Sequence, residues 1–159
     1  MSIRRIKILV DVDGSETSSQ ALAAAVNLAR ESGARLQPLF AVELPLMSYD
    51  VPGYDPSHVR NALVEEGKHV LADTTALIAA SGVKGPPRMV ETDLTGDDIA
   101  QDLVVMGTRG RRGVQRLVLG SVAPRFLRIA TCPVLPVSAH CPPSASVARD
   151  AGDAVNEPR

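Results

Sequence analysis

Apolar and polar positions along the chain follow two alternating periods. Ile6 to Val12 is a nearly unbroken apolar run, and Leu103 to Met106 is another that ends abruptly at Gly107. Runs of that length and continuity read as strands buried on both faces of a parallel sheet. Arg35 to Glu43 reads as a second strand and Arg88 to Thr92 as a third. Between them the period lengthens to that of a helix. Ala21, Leu22, Ala25, Val26, Leu28 and Ala29 form one apolar face closed by Gly33, with Ser15 or Thr17 as N-cap and Glu16 at the positive end. Val59, Leu63, Val70, Leu71, Leu77 and Ile78 predict a longer helix that starts from a Ser57 cap and ends at Ser81-Gly82. Val122 to Ile129 returns to helical spacing, with Pro124 near its third position, where a missing N–H costs little. Alternating strands and helices predict an α/β fold.

Several places break the pattern. Pro38 removes a ladder donor from the second strand and predicts a distortion there. Leu44 to Pro56 is rich in Pro, Gly, Ser and Asp and reads as a long loop over the ligand edge of the sheet. Only Asp93 to Gln101 separates the third strand from the fourth, whereas a parallel crossover needs about a dozen residues and usually a helix. Either that helix is missing or a segment near Gln101 is absent from the chain, and a sheet face left bare is expected. Ala139 to Arg159 is aperiodic and rich in Pro, Ser, Ala and Asp, so the expected organisation is one domain over 1–138 and a disordered tail over 139–159.

Composition narrows the class. Of 159 residues, 45% are hydrophobic but only 3% aromatic, so the core must be built from Ala, Val, Leu and Ile. A formal net charge of −1 gives no reason to expect nucleic-acid binding. No apolar run approaches the roughly eighteen residues of a membrane helix. Arg4, Arg5 and Lys7 precede only a strand-length run, not a signal peptide, and a cytoplasmic protein is expected. Cys132 and Cys141 fit reduced thiols, and no Cys/His cluster suggests a metal site.

Candidate chemistry gathers where strands end. Gly107 and Gly110 follow the buried fourth strand, and Gly120 with Ser121 precedes the last helix, giving G-x2-G-x9-G-S. Glycines let the main chain approach a ligand, and the helix beyond Ser121 presents free N–H groups, so the loop reads as an anion cradle. Arg109, Arg111, Arg112 and Arg116 bias it toward phosphate. The first strand delivers Asp11 and Asp13 to the same edge. The plainer alternative is that the glycines and Ser121 serve the connection alone and that Asp13 is a turn residue.

At these residues the chain resembles the universal stress protein family, whose ATP-binding members carry G-x2-G-x9-G-[ST]. The resemblance covers Ile3 to Ser138 with one gap, through V-D-G-S-E at 12–16, Gly96-Asp97 and T-C-P-V-L-P-V at 131–137. It implies an open five-stranded parallel sheet of order 3-2-1-4-5, Rossmann-like, with helices on both faces and the helix between strands 3 and 4 short or missing. It further implies ATP, with magnesium, held by Val12, Asp13, Gly14, Ser15, Ala41, Met106, Gly107, Arg109, Gly110, Gly120, Ser121 and Val122. Asp13 would lie beside the nucleoside and Ala41 by the base. Related proteins commonly dimerise through the final strand, so a homodimer is expected, weakened by Pro136. Ser121 has no obvious His base, and no dedicated catalytic residue is assigned: a regulatory stress-response module with at most slow ATP hydrolysis is expected. The alternative is a nucleotide-free dimeric interaction protein of the same fold. A nucleotidyl transferase would require a signature such as H-x-G-H, which is absent.

Overall fold

Ile8 and Val10 point to one side of the first strand and Leu9 and Asp11 to the other, and the core divides accordingly into two layers. The computed structural model describes residues 6–44, 53, 55–91, 97–99, 101–108 and 122–139. Strands β1 (Lys7–Asp11), β2 (Arg35–Ala41), β3 (Arg88–Val90), β4 (Leu103–Gly107) and β5 (Val134–Val137) form one parallel sheet in the order β3-β2-β1-β4-β5. Helices α1 (Glu16–Ser32) and α2 (Ser57–Ala80) follow β1 and β2, and α3 (Val122–Ile129) precedes β5. The expected α/β fold and strand order are both observed.

On the first face, Ile8, Val10, Leu36, Phe40 and Val105 meet Ala21, Leu22 and Ala25 of α1 and Leu71 and Ile78 of α2. Ser15 caps α1 by accepting from the Ser18 amide at 3.2 Å, and Gly33 ends it at φ 68. The helical stripe on α2 differs at two points from the sequence reading. Leu77 is exposed, because Thr74 and Ile78 occupy the inward positions. Ser57 is not the cap: Pro56 holds that position, and the Asp55 carboxylate accepts from the Ser57 amide at 2.9 Å and its hydroxyl at 2.7 Å.

The second face is buried, contrary to the expected bare sheet. Leu9, Leu39, Val90, Val104 and Met106 pack with Phe126 of α3 and with Ile99, which lies on a 3-10 turn, Asp97–Ile99, within the short crossover. Ile99 and Phe126 are both fully buried in that layer. The Cys132 thiol donates to the Ile99 carbonyl at 3.6 Å and pins that turn. Of the expected short crossover, the structure describes the 3-10 turn and Gln101; residues 92–96 and 100 lie outside the described residues.

Pro38 also behaves differently from expectation. β1 and β2 stay in unbroken register from Lys7↔Arg35 to Asp11↔Leu39, passing through Val10↔Pro38 without a bulge. Arg35 donates to the Ile6 carbonyl and the Leu39 carbonyl accepts from Val12, so odd-numbered residues of β2 face β1. Pro38 therefore turns its nitrogen to the other side, ahead of the short β3 ladder that begins at Leu39↔Arg88. The missing donor falls where little ladder exists to lose.

Candidate functional site

Strand order reverses at β1, whose neighbours β2 and β4 carry connections running in opposite directions, and such a point opens a crevice at the carboxyl ends of the strands. The chain places polar residues there. Beyond Asp11, Val12 turns its side chain into the first core layer and donates its amide to the Leu39 carbonyl at 2.9 Å, so main chain is what it offers a ligand. Asp13 accepts from the Ser15 amide at 2.9 Å through Oδ1, and its own amide donates to the Ser18 hydroxyl at 3.1 Å. These bonds give Asp13 the turn-holding role that its sequence context allowed; a ligand role would add to it. Gly14 sits at φ 79, a left-handed conformation that other residues enter only with strain. α1 begins directly afterwards, with its positive end toward the edge.

The flanking strands complete the rim. Ala41 ends β2 half-buried against the second layer. Met106 is buried in the same layer, so its side chain is core. Gly107, the last residue of β4, backs onto the first turn of α1: an added Cβ would lie 2.9 Å from the Thr17 carbonyl carbon and 3.0 Å from its Oγ1. That close approach is a structural need for glycine independent of any ligand. Val122 opens α3. Arg109, Gly110, Gly120 and Ser121 lie outside the described residues, as does most of the loop expected over the edge.

One site residue carries a signal that sequence spacing alone does not reveal. Asp11 is buried on the second face, two residues beyond Leu9. Desolvation pushes its carboxyl up to about 8, helped by the negative charges of Asp13 and Glu43. Glu43 itself pairs with Arg125 of α3 at 3.7 Å. The edge of the second face thus holds a carboxyl that is largely neutral at pH 7, two further carboxylates and one guanidinium. Among the described residues no cluster of His, Cys, Asp and Glu has the arrangement of a metal site. No helix among them is long and apolar enough to cross a membrane.

Known proteins share both the sequence and the architecture. A universal stress protein of Methanocaldococcus jannaschii is 34% identical over 139 residues, 82% of this chain and 81% of that protein. The crystal structure of a universal stress protein family member from Burkholderia pseudomallei superposes with a TM-score of 0.62 at 42% identity, over 82% of this chain and 94% of the other. The universal stress protein of Archaeoglobus fulgidus in complex with dAMP shares the fold, with a TM-score of 0.59 at 20% identity over 86% and 99% of the two chains. The sequence model of the universal stress protein family matches residues 5–138, and the chain belongs to that family.

Proposed function

We propose that this chain is an ATP-binding regulatory module of the cytoplasmic stress response, whose nucleotide occupancy tunes its conformation or its partners. The observation that carries the reading is the switch-point edge, where the turn at Asp13 to Ser15, the start of α1 and the ends of β2 and β4 converge. The residues present suit a nucleotide. Ala41 is a small, half-buried side chain at the end of β2 that would suit a flat base, the Val12 to Ser15 turn brings main chain to the rim, and G-x2-G-x9-G-S would supply the phosphate cradle. The dAMP complex of the A. fulgidus relative supports a nucleotide on this fold. Magnesium bound with the triphosphate would be held by phosphate oxygens and water, with Asp13 as a carboxylate at the rim, since neutral Asp11 is a poor ligand for a hard cation.

Binding rather than turnover is the expected role. His58 and His69 are exposed on α2, and neither is assigned a role as a base. The test is mass analysis of nucleotide released by denaturing freshly purified protein, with phosphate release assayed on the same sample. Adenine nucleotide recovered with the protein, and turnover well below about 1 per second, are the expected results. Protein that carries no nucleotide and takes up none from millimolar ATP would instead favour the nucleotide-free interaction module.

A further inference from the structure

At the amino end of the sheet, on the first face, the ends of α1 and α2 and the start of β2 enclose a cleft of about 420 Å³, the scale of a ligand site. Buried Ala29, Ala34 and Val83 make its floor, and exposed Arg30, Arg35 and Lys84 stand around it. Among the described residues no acid lines the cleft and none of the three cations makes an ion pair. The neighbouring carboxylates are Glu31, which follows Arg30 on α1, and Asp102, whose Oδ2 accepts from the Lys7 amide at 2.9 Å. The helix ends do not need these cations. The Ala29 carbonyl accepts from Gly33 and Ala34, that of Ile78 from Ser81 and Val83, and that of Ala79 from Gly82, so main chain already closes both helices. Arg30 suits the negative end of α1, but Arg35 and Lys84 lie beyond the helices. Their backbone is fixed: Arg35 donates to the Ile6 carbonyl at 2.8 Å, the Lys84 carbonyl accepts from Leu36 at 3.1 Å, and Gly85 lies so close to the Leu36 carbonyl that an added Cβ would overlap it.

The same bonds decide which anion fits. Phosphates are cradled by free main-chain N–H groups, whereas here the amides of Gly33, Ala34, Arg35, Ser81, Gly82 and Val83 are all donated within the fold and both helices end at the cleft with their negative poles. Carboxylates need only the charge and N–H donors that Arg and Lys side chains carry. We propose that this cleft docks an extended acidic segment of a partner protein, its carboxylates on Arg30, Arg35 and Lys84 and an alternate apolar side chain on the floor of Ala29, Ala34 and Val83. Successive side chains of an extended chain turn to opposite sides, so an alternation of acidic and apolar residues matches a charged rim over an apolar floor. A small polycarboxylate matches the rim alone. The cleft is at the opposite end of the sheet from the nucleotide edge, so the two sites can be filled together, and this proposal does not depend on nucleotide binding.

The test is the fluorescence anisotropy of a labelled peptide of alternating Asp and Val residues titrated with the full chain. Saturable binding is expected, weakened about tenfold when salt rises from ~50 mM to ~500 mM, because the rim charges are exposed. Arg35→Glu reverses one exposed charge and should weaken binding by about tenfold, as should Arg30→Gln combined with Lys84→Gln. Lys68→Gln, an equal loss of charge at an exposed position of α2 outside the cleft, should leave binding unchanged. A peptide of alternating Asp and Gly should bind several-fold more weakly, because nothing then fills the floor. An absence of saturable binding, an affinity that Arg35→Glu leaves intact, or equal binding of a peptide with Asn in place of Asp overturns the proposal. So does displacement of the peptide by ATP or by a single-stranded oligonucleotide, which would make this a phosphate site, or by citrate as effectively as by unlabelled peptide, which would make it a site for small polycarboxylates.

Discussion

Asp11 is held against its own electrostatics, and the consequence is measurable without any ligand. Its carboxyl titrates near 8 in the folded chain against 3.8 as the ordinary value, because burial and the like charges of Asp13 and Glu43 penalise the ionised form. Between those two pH values folding takes up a proton, so the native state binds more protons than the unfolded one and stability falls as pH rises. The slope is about 1.4 kcal/mol per pH unit across that window, and it vanishes below 3.8 and above 8. Asp11→Asn removes the ionisation while keeping the shape. Urea unfolding at pH 5 and pH 8 should show the variant gaining on the parent by roughly 4 kcal/mol, that slope taken over three pH units. A stability difference that stays constant across the range would mean that Asp11 titrates normally. Other rim residues are legible for simpler reasons: Ser15 follows two acids and precedes a helical stripe, and it is the cap that such a position calls for.

At the scale of elements, what the sequence disclosed and what it hid have separate physical causes. β1, β4 and α1 were readable because each carries its own period, and the chain order of buried runs and amphipathic stripes leaves few topologies. Pro38 misled because a proline's cost depends on which neighbour its nitrogen faces, and that is decided by the ladder, not by the residue. Ser57 misled because Pro56 takes the cap position, and the Ser57 amide and hydroxyl are held instead by the carboxylate of Asp55, two residues earlier. The crossover misled most. Nine residues cannot form a covering helix, but a single 3-10 turn carrying Ile99, with Phe126 arriving from α3, buries the sheet there, and neither contact is visible in local spacing. Within the site, Asp13, Gly14 and Ser15 could be found from the turn they form, and Gly107 from its place after a buried run. The raised titration of Asp11 could not, because it depends first on burial by the folded layer, with the charges of Asp13 and Glu43 adding to it.

At the scale of the whole molecule, β5 is an edge strand. Val104 donates to the Pro133 carbonyl and Thr108 to the Val137 carbonyl, so positions 133 and 137 face β4. By the alternation of a parallel ladder Pro136 faces outward, and Leu135 beside it is exposed. A homodimer pairing β5 with its symmetry mate would therefore lose one donor on each side, about 1–3 kcal/mol in total. Restoring the donor with Pro136→Val should tighten the dimer, which sedimentation across a concentration series would register as association at lower protein concentration. A parent that is monomeric at every concentration, or a variant that dissociates more readily, would refute this assembly.

The claim on which the rest depends is that a nucleotide binds at the carboxyl edge of the sheet, around the end of β1. Its most direct measurement is the change in backbone amide resonances when ATP is added to isotopically labelled protein. Perturbations should concentrate at 11–15, 41–43 and 107–108, and the opposite end of the sheet, from Gly33 to Arg35 and from Gly82 to Lys84, should stay silent. Perturbations confined to that opposite end, or none at saturating ATP, would contradict the assignment.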